Sequence, residues 1–92
     1  MQDFTDKVAV ITGGASGVGR SLAFALGRRG AKIAVGDVDK VAMEKVRADL
    51  ETENISAIVE FCDVTSMDSL HHLADKAEAA LDGIHLVFAN AG

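Results

Sequence analysis

The segment Thr12-Gly13-Gly14-Ala15-Ser16-Gly17-Val18-Gly19 concentrates glycine between a β-branched run and an amphipathic one. A loop so poor in side chains lets backbone N–H groups approach a phosphate, and the positive end of a following helix favours the anion. Gly13 suits the sharp turn, Gly17 the close approach of a ligand, and Gly19 the close packing of helix on strand. Ser16 adds a hydroxyl that either meets the phosphate or shapes the turn. Glycine clusters also mark plain strand-to-helix turns, so a second signal matters. Asp37 supplies it, eighteen positions after Gly19, near the roughly 20-residue spacing at which an acid meets the ribose hydroxyls of a dinucleotide. A carboxylate can accept from both hydroxyls at once. Asp37 could also cap the next helix, a role for which Asp39 competes.

These residues select a cofactor class. A 2′-phosphate beside Asp37 would meet repulsion of up to roughly 4 kcal/mol per unit-charge pair at ~4 Å and an effective dielectric of ~20. Neither Ser16 nor Val38, flanking that pocket, carries a cation to offset this, and Lys40 reaches only part of the way. The expected cofactor is NAD, with NADP disfavoured. The binding set is Gly13, Ser16, Gly17, Val18, Gly19 and Asp37.

The elements that position this set follow from hydrophobic period. Lys7 to Thr12 is a β-branched run stopped by glycines. From Gly17 to about Arg29, Val18, Leu22, Ala25 and Leu26 mark one helical face, closed by Gly30. Lys32 to Asp37 is the second strand. Asp39 caps a helix to about Glu53 with the stripe Ala42, Met43, Val46 and Leu50. Ser56 to Cys62 is the third strand. Met67, Leu70, Ala74, Ala77 and Leu81 stripe a third helix that Gly83 ends, with Met43 and Met67 both assigned to the core. Ile84 to Ala89 is the fourth strand, and its continuous apolar run predicts burial on both faces. The alternation βαβαβαβ predicts an α/β Rossmann-type doubly wound parallel sheet, incomplete, of strand order 3-2-1-4. The first two helices should cover one face and the third the other. Residues 1–92 would then be the N-terminal dinucleotide-binding part of one such domain, cut after its fourth strand, with an open apolar edge for self-association.

Composition excludes several classes. Nine basic against fourteen acidic residues gives a net charge of −5, which opposes a general nucleic-acid or acidic-lipid surface. The excess lies in residues 54–92, with one basic and six acidic residues, and reads as a solvated face on the third helix. The first residues resemble no signal or transit peptide, and no run approaches the ~18 apolar residues that span a bilayer. The lone Cys62 closes no intrachain disulfide and reads as a small buried hydrophobe, so a cytoplasmic, reducing setting is expected. His71 and His72 are adjacent on a helix and point apart, towards solvent. His85 has no partner at ligand spacing, so no metal site is expected.

Together these features resemble the front part of the short-chain dehydrogenase/reductase family. Its Thr-Gly-x-x-x-Gly-x-Gly is matched by Thr12, Gly13, Gly17 and Gly19, its acid after the second strand by Asp37, and its Asp-Val after the third by Asp63-Val64. Its Asn-Asn-Ala-Gly appears as Ala89-Asn90-Ala91-Gly92, with the first Asn replaced. The resemblance implies that Asp63 and Val64 contact adenine and that Asn90 ties the fourth strand to the sheet beside the cofactor. Asp63 could cap the third helix as well. It implies a parent oxidoreductase, a homo-oligomer, moving hydride between NAD and an alcohol or carbonyl. The family's catalytic Ser, Tyr and Lys have no counterpart up to position 92, and the sequence contains no Tyr, so these 92 residues alone should be inactive. Two other readings stay open. Gly14 to Ser21 fits the triphosphate loop G-x-x-x-x-G-K-[ST] except for Arg20. A non-catalytic interaction module could instead use the open sheet edge.

Overall fold

The computed structural model describes residues 3–90. Ala91 and Gly92, the last two residues of the fourth family motif, lie outside the described residues. The element order is β1 (Val8–Thr12), α1 (Gly17–Arg28), β2 (Lys32–Asp37), α2 (Lys40–Thr52), β3 (Ala57–Phe61), α3 (Met67–Leu81) and β4 (Leu86–Ala89). All three pairings are parallel and the strand order is β3-β2-β1-β4. Val10 stands between Ala34 of β2 and Val87 of β4. The expected α/β Rossmann-type topology is the one observed.

Side chains alternate between the two faces of the sheet. Ala9, Ile11, Ile33 and Val35 join Ala23, Leu26, Met43, Val46 and Leu50 in one core under α1 and α2. Val8, Val10 and Ala34 join Cys62, Leu73, Ala77 and Leu81 in a second core under α3. Two helices therefore cover one face and one helix the other, as expected. Ile11, Ile33, Leu50 and Leu73 are among the fully buried side chains, each contributing about 1.5–3 kcal/mol relative to exposure.

Three expectations about burial need correction. The face of α1 consists of Gly19, Ala23, Phe24 and Leu26, while Val18 is 76% exposed and Ala25 is exposed. The inward stripe includes glycine, to which a hydropathy pattern is blind. A β-carbon at Gly19 would lie 2.1 Å from the Gly13 carbonyl oxygen, and one at Gly27 would lie 2.7 Å from Ile55. Met67 is 64% exposed rather than in the core, because it heads α3 and the buried stripe begins further on with Leu73. Val87 is 66% exposed, so β4 is not buried on both faces. Leu86 and Phe88 pack on the α1/α2 core, whereas α3 lies across β3, β2 and β1 and leaves the Val87 side uncovered.

Edges and ends have their own chemistry. The Arg47 guanidinium, also paired with Glu44, donates to the Val59 carbonyl at 2.8 Å on the edge strand β3. It occupies an acceptor that would otherwise template further pairing. The imidazole of His85 accepts the Val8 N–H at Nδ1, 3.0 Å away, where β4 joins β1. The left-handed residue ending α3 is Asp82, φ 68°, ahead of the expected Gly83. Among the described residues no helix is long and apolar enough to cross a membrane, and no group of three His, Cys, Asp or Glu side chains could hold a metal ion.

Candidate functional site

The three helices follow parallel strands, so all begin at the carboxyl end of the sheet. The first N–H groups of a helix have no partner within it. At α2 the Asp39 carboxylate accepts the Ala42 N–H at 3.1 Å, and at α3 the Ser66 hydroxyl accepts the Ser69 N–H at 3.2 Å. At α1 the N-cap Ser16 has extended backbone but makes no side-chain capping bond. That first turn therefore has no side-chain cap, and the dipole of α1 stands behind its amides.

The loop before α1 is held by backbone. Gly13 adopts φ 65° and donates to the Gly36 carbonyl at 2.7 Å. A side chain there would strike the Asn90 carbonyl oxygen at 2.3 Å. Gly17 differs: with φ 57°, its β-carbon position has nothing within 4 Å and opens into free space. Glycine at 13 and 19 serves internal packing, and glycine at 17 clears an approach from outside.

This opening belongs to a cleft of about 530 Å³. Gly13, Ser16, Gly17 and Val18 line it from the β1 side, Asp37 and Val38 from the end of β2, Cys62, Asp63 and Val64 from the end of β3, and Asn90 from the end of β4. Every residue of the expected binding set is there except Gly19, which is buried behind the loop. Val38, read from the sequence as a flank, and Cys62, read as a buried hydrophobe, also belong to the lining.

The polar groups are tightly placed. Asp37 Oδ2 accepts the Ala15 N–H at 3.0 Å, and Oδ1 accepts those of Val38 at 2.7 Å and Asp39 at 3.2 Å. The cap of α2 is Asp39, not Asp37. Asp63 Oδ1 accepts from the Thr65 hydroxyl at 2.7 Å and the Thr65 N–H at 2.9 Å. Those bonds, the hydroxyl first, hold the Asp63 carboxyl below the usual carboxylate range. Ser66 rather than Asp63 caps α3, because the short turn at Asp63 to Thr65 uses its carboxylate. Asn90 donates from Nδ2 to the Gly13 carbonyl at 3.2 Å, and its backbone N–H reaches Thr12. Burial, followed by the Asp63 charge, pushes the Cys62 thiol up, away from a reactive thiolate. The cleft thus offers free amides for an anion, carboxylates for hydroxyl or amino donors, and the valines for an apolar ring.

Arg20 faces elsewhere. Its guanidinium bonds Asp49 on α2 at 2.5 Å and lies over the Phe24 ring, outside the cleft lining. It does not occupy the place of a triphosphate-loop lysine. Lys40 is likewise absent from the lining.

The family profile described as "short chain dehydrogenase" matches residues 7–92, and the chain belongs to that family. It is 46% identical over 79 residues to a C alpha-dehydrogenase of Sphingobium sp. (strain NBRC 103272 / SYK-6), covering 86% of this chain and 26% of that protein. It is 40% identical over 89 residues to a cis-4-hydroxycyclohexanecarboxylate dehydrogenase of Sinomonas cyclohexanicum, covering 97% of this chain and 35% of that protein. Among solved structures, a short chain dehydrogenase/reductase from Burkholderia phymatum in complex with NAD superposes with a TM-score of 0.90 at 36% identity, over 95% of this chain and 31% of that one. The chain thus spans about a quarter to a third of the length of these relatives.

Proposed function

We propose that residues 1–92 are the part of an NAD-dependent oxidoreductase that holds the adenosine diphosphate moiety of the cofactor. The observation that carries this reading is the single cleft joining the uncapped start of α1 to the Asp37 carboxylate. The amides of Gly17 and Val18, with the Ser16 hydroxyl, would hold the diphosphate, and Gly19 would keep α1 packed close behind the loop. Asp37, with one acceptor position left open, would accept from a ribose hydroxyl and disfavour a 2′-phosphate. Asp63 and Val64 would meet the adenine, and Asn90 would keep β4 against the loop. The residues fit the group: the space over Gly17 is clear, and α1 lacks the cap its neighbours carry. When bound, the nicotinamide supplies hydride exchange with an alcohol or carbonyl.

The similarity to a structure solved with NAD supports the same cofactor class. The parent's substrate-reading and proton-donating residues would lie outside this segment, which contains no Tyr. We expect no turnover from the 92 residues alone. A homo-oligomeric parent in the cytoplasm, and self-association of this segment through β4, belong to the same reading. Calorimetry with NAD and NADP tests it. NAD should bind the more tightly, and Asp37→Ala should weaken NAD and narrow its preference over NADP. Equal affinity for both cofactors in the unaltered chain would remove Asp37 as the selector, and no heat with either would remove the reading.

A further inference from the structure

Asp37 is already engaged before any ligand arrives. Its carboxylate has about four acceptor positions, and three are taken by backbone N–H groups: Ala15 on Oδ2, Val38 and Asp39 on Oδ1. Ala15 belongs to the glycine loop, twenty-two positions away in sequence, whereas Val38 and Asp39 form the turn into α2. Across the same gap, the loop's other ties are bonds from Gly13 and Gly14 to the Gly36 carbonyl. The loop's far side is tied by Asn90. Between Ala15 and Gly17 the Ser16 side chain makes no cap, so the Asp37 bond is the last anchor before the amides that face the cleft.

We propose that Asp37 is a positioning residue for the diphosphate loop as well as a reader of the sugar. Holding Ala15 fixes the path of the chain into Gly17 and so aims the first-turn amides of α1 before the anion binds. This rests on the proposed cofactor reading, but the two roles differ in sign. If Asp37 only reads ribose hydroxyls, removing its negative charge leaves a diphosphate without those hydroxyls bound equally well or better. If it also aims the loop, that same diphosphate binds worse.

The test uses the full chain, Asp37→Asn and Asp37→Ala, with ADP and 2′,3′-dideoxy-ADP as probes. Asp37→Asn preserves shape but replaces one acceptor oxygen by a donor, so it cannot satisfy both Ala15 and the α2 turn. The first readout needs no ligand: amide exchange of Ala15 should accelerate about tenfold or more in both variants, the weight of one charge-assisted hydrogen bond. Protection in β1 and β2 should hold and serves as the folding control. The second readout is affinity. Dideoxy-ADP should weaken by roughly fivefold to tenfold in both variants, and ADP by more. Unchanged exchange at Ala15, or dideoxy-ADP binding that is unchanged or tighter while ADP weakens, overturns the positioning role. If neither probe binds the unaltered chain while Ala15 still loses protection in the variants, the loop anchor stands and the cofactor reading falls.

Discussion

Helices α2 and α3 begin by folding a side chain back onto their own amides, Asp39 onto Ala42 and Ser66 onto Ser69. Helix α1 begins with a serine that makes no such bond, although Ser16 is a residue type that caps well. The three starts lie at one end of one sheet, so the difference is local in cause. The first two serve folding. The third forgoes about 1 kcal/mol of capping and leaves its amides, with the dipole behind them, facing the cleft. The glycines divide in the same way. Those at 13 and 19 are compelled by the chain's own packing, and the one at 17 is compelled by nothing in the chain except its positive φ.

The largest way to break this comparison is at the glycines. Gly19→Ala should destabilise the chain by about 3 kcal/mol, since the added carbon would sit 2.1 Å from a backbone carbonyl that cannot yield cheaply. Gly17→Ala should cost only about 1 kcal/mol, for its positive φ, yet lower the affinity for NAD. Urea unfolding with matched calorimetry separates the two, and equal stability losses would erase the distinction.

Next come the caps. Asp39→Ala and Ser66→Ala should each lower stability by about 1 kcal/mol, and Ser16→Ala by no more than a few tenths. A loss at Ser16 equal to the others would mean that its hydroxyl caps α1 in solution.

The smallest effect concerns the outer side of α1, where its charges are spent on packing. Hydrogen bonds from Arg20 and Arg28 hold the carboxyls of Asp49 and Glu53 below their ordinary values. A carboxyl depressed in the folded state stabilises it above the unfolded value, 3.8 for Asp49, and loses that contribution as pH falls through the folded value. Asp49→Asn should therefore flatten part of the acid limb of stability and leave NAD affinity unchanged. An unaltered acid limb would show that the Arg20 pair adds nothing.

Much of this was legible in the sequence because strands and turns report themselves. β2 runs from Lys32 to Asp37 as its β-branched residues and flanking glycine predict, and the glycine spacing locates the loop. The face of α1 was not legible, because its contact surface contains Gly19 and Gly27, residues that hydropathy does not register as apolar. Exposure of Met67 and Val87 depends on how far α3 reaches across the sheet, a tertiary fact absent from any local pattern. Cys62 joined the cleft because β2 and β3 end in register, Asp37 beside Phe61, and only the pairing reveals that. The engagement of Asp37 by Ala15 was equally hidden, since nothing at either position marks a bond between them.

The most direct test is a backbone-amide NMR titration of the full chain with NAD. The amides of Gly17 and Val18, which line the cleft, should shift progressively to saturation, while those of Ala42 and Ser69, already paired with their caps, stay in place. Saturation with no movement at 17 and 18, or movement equal at all three helix starts, would contradict the account.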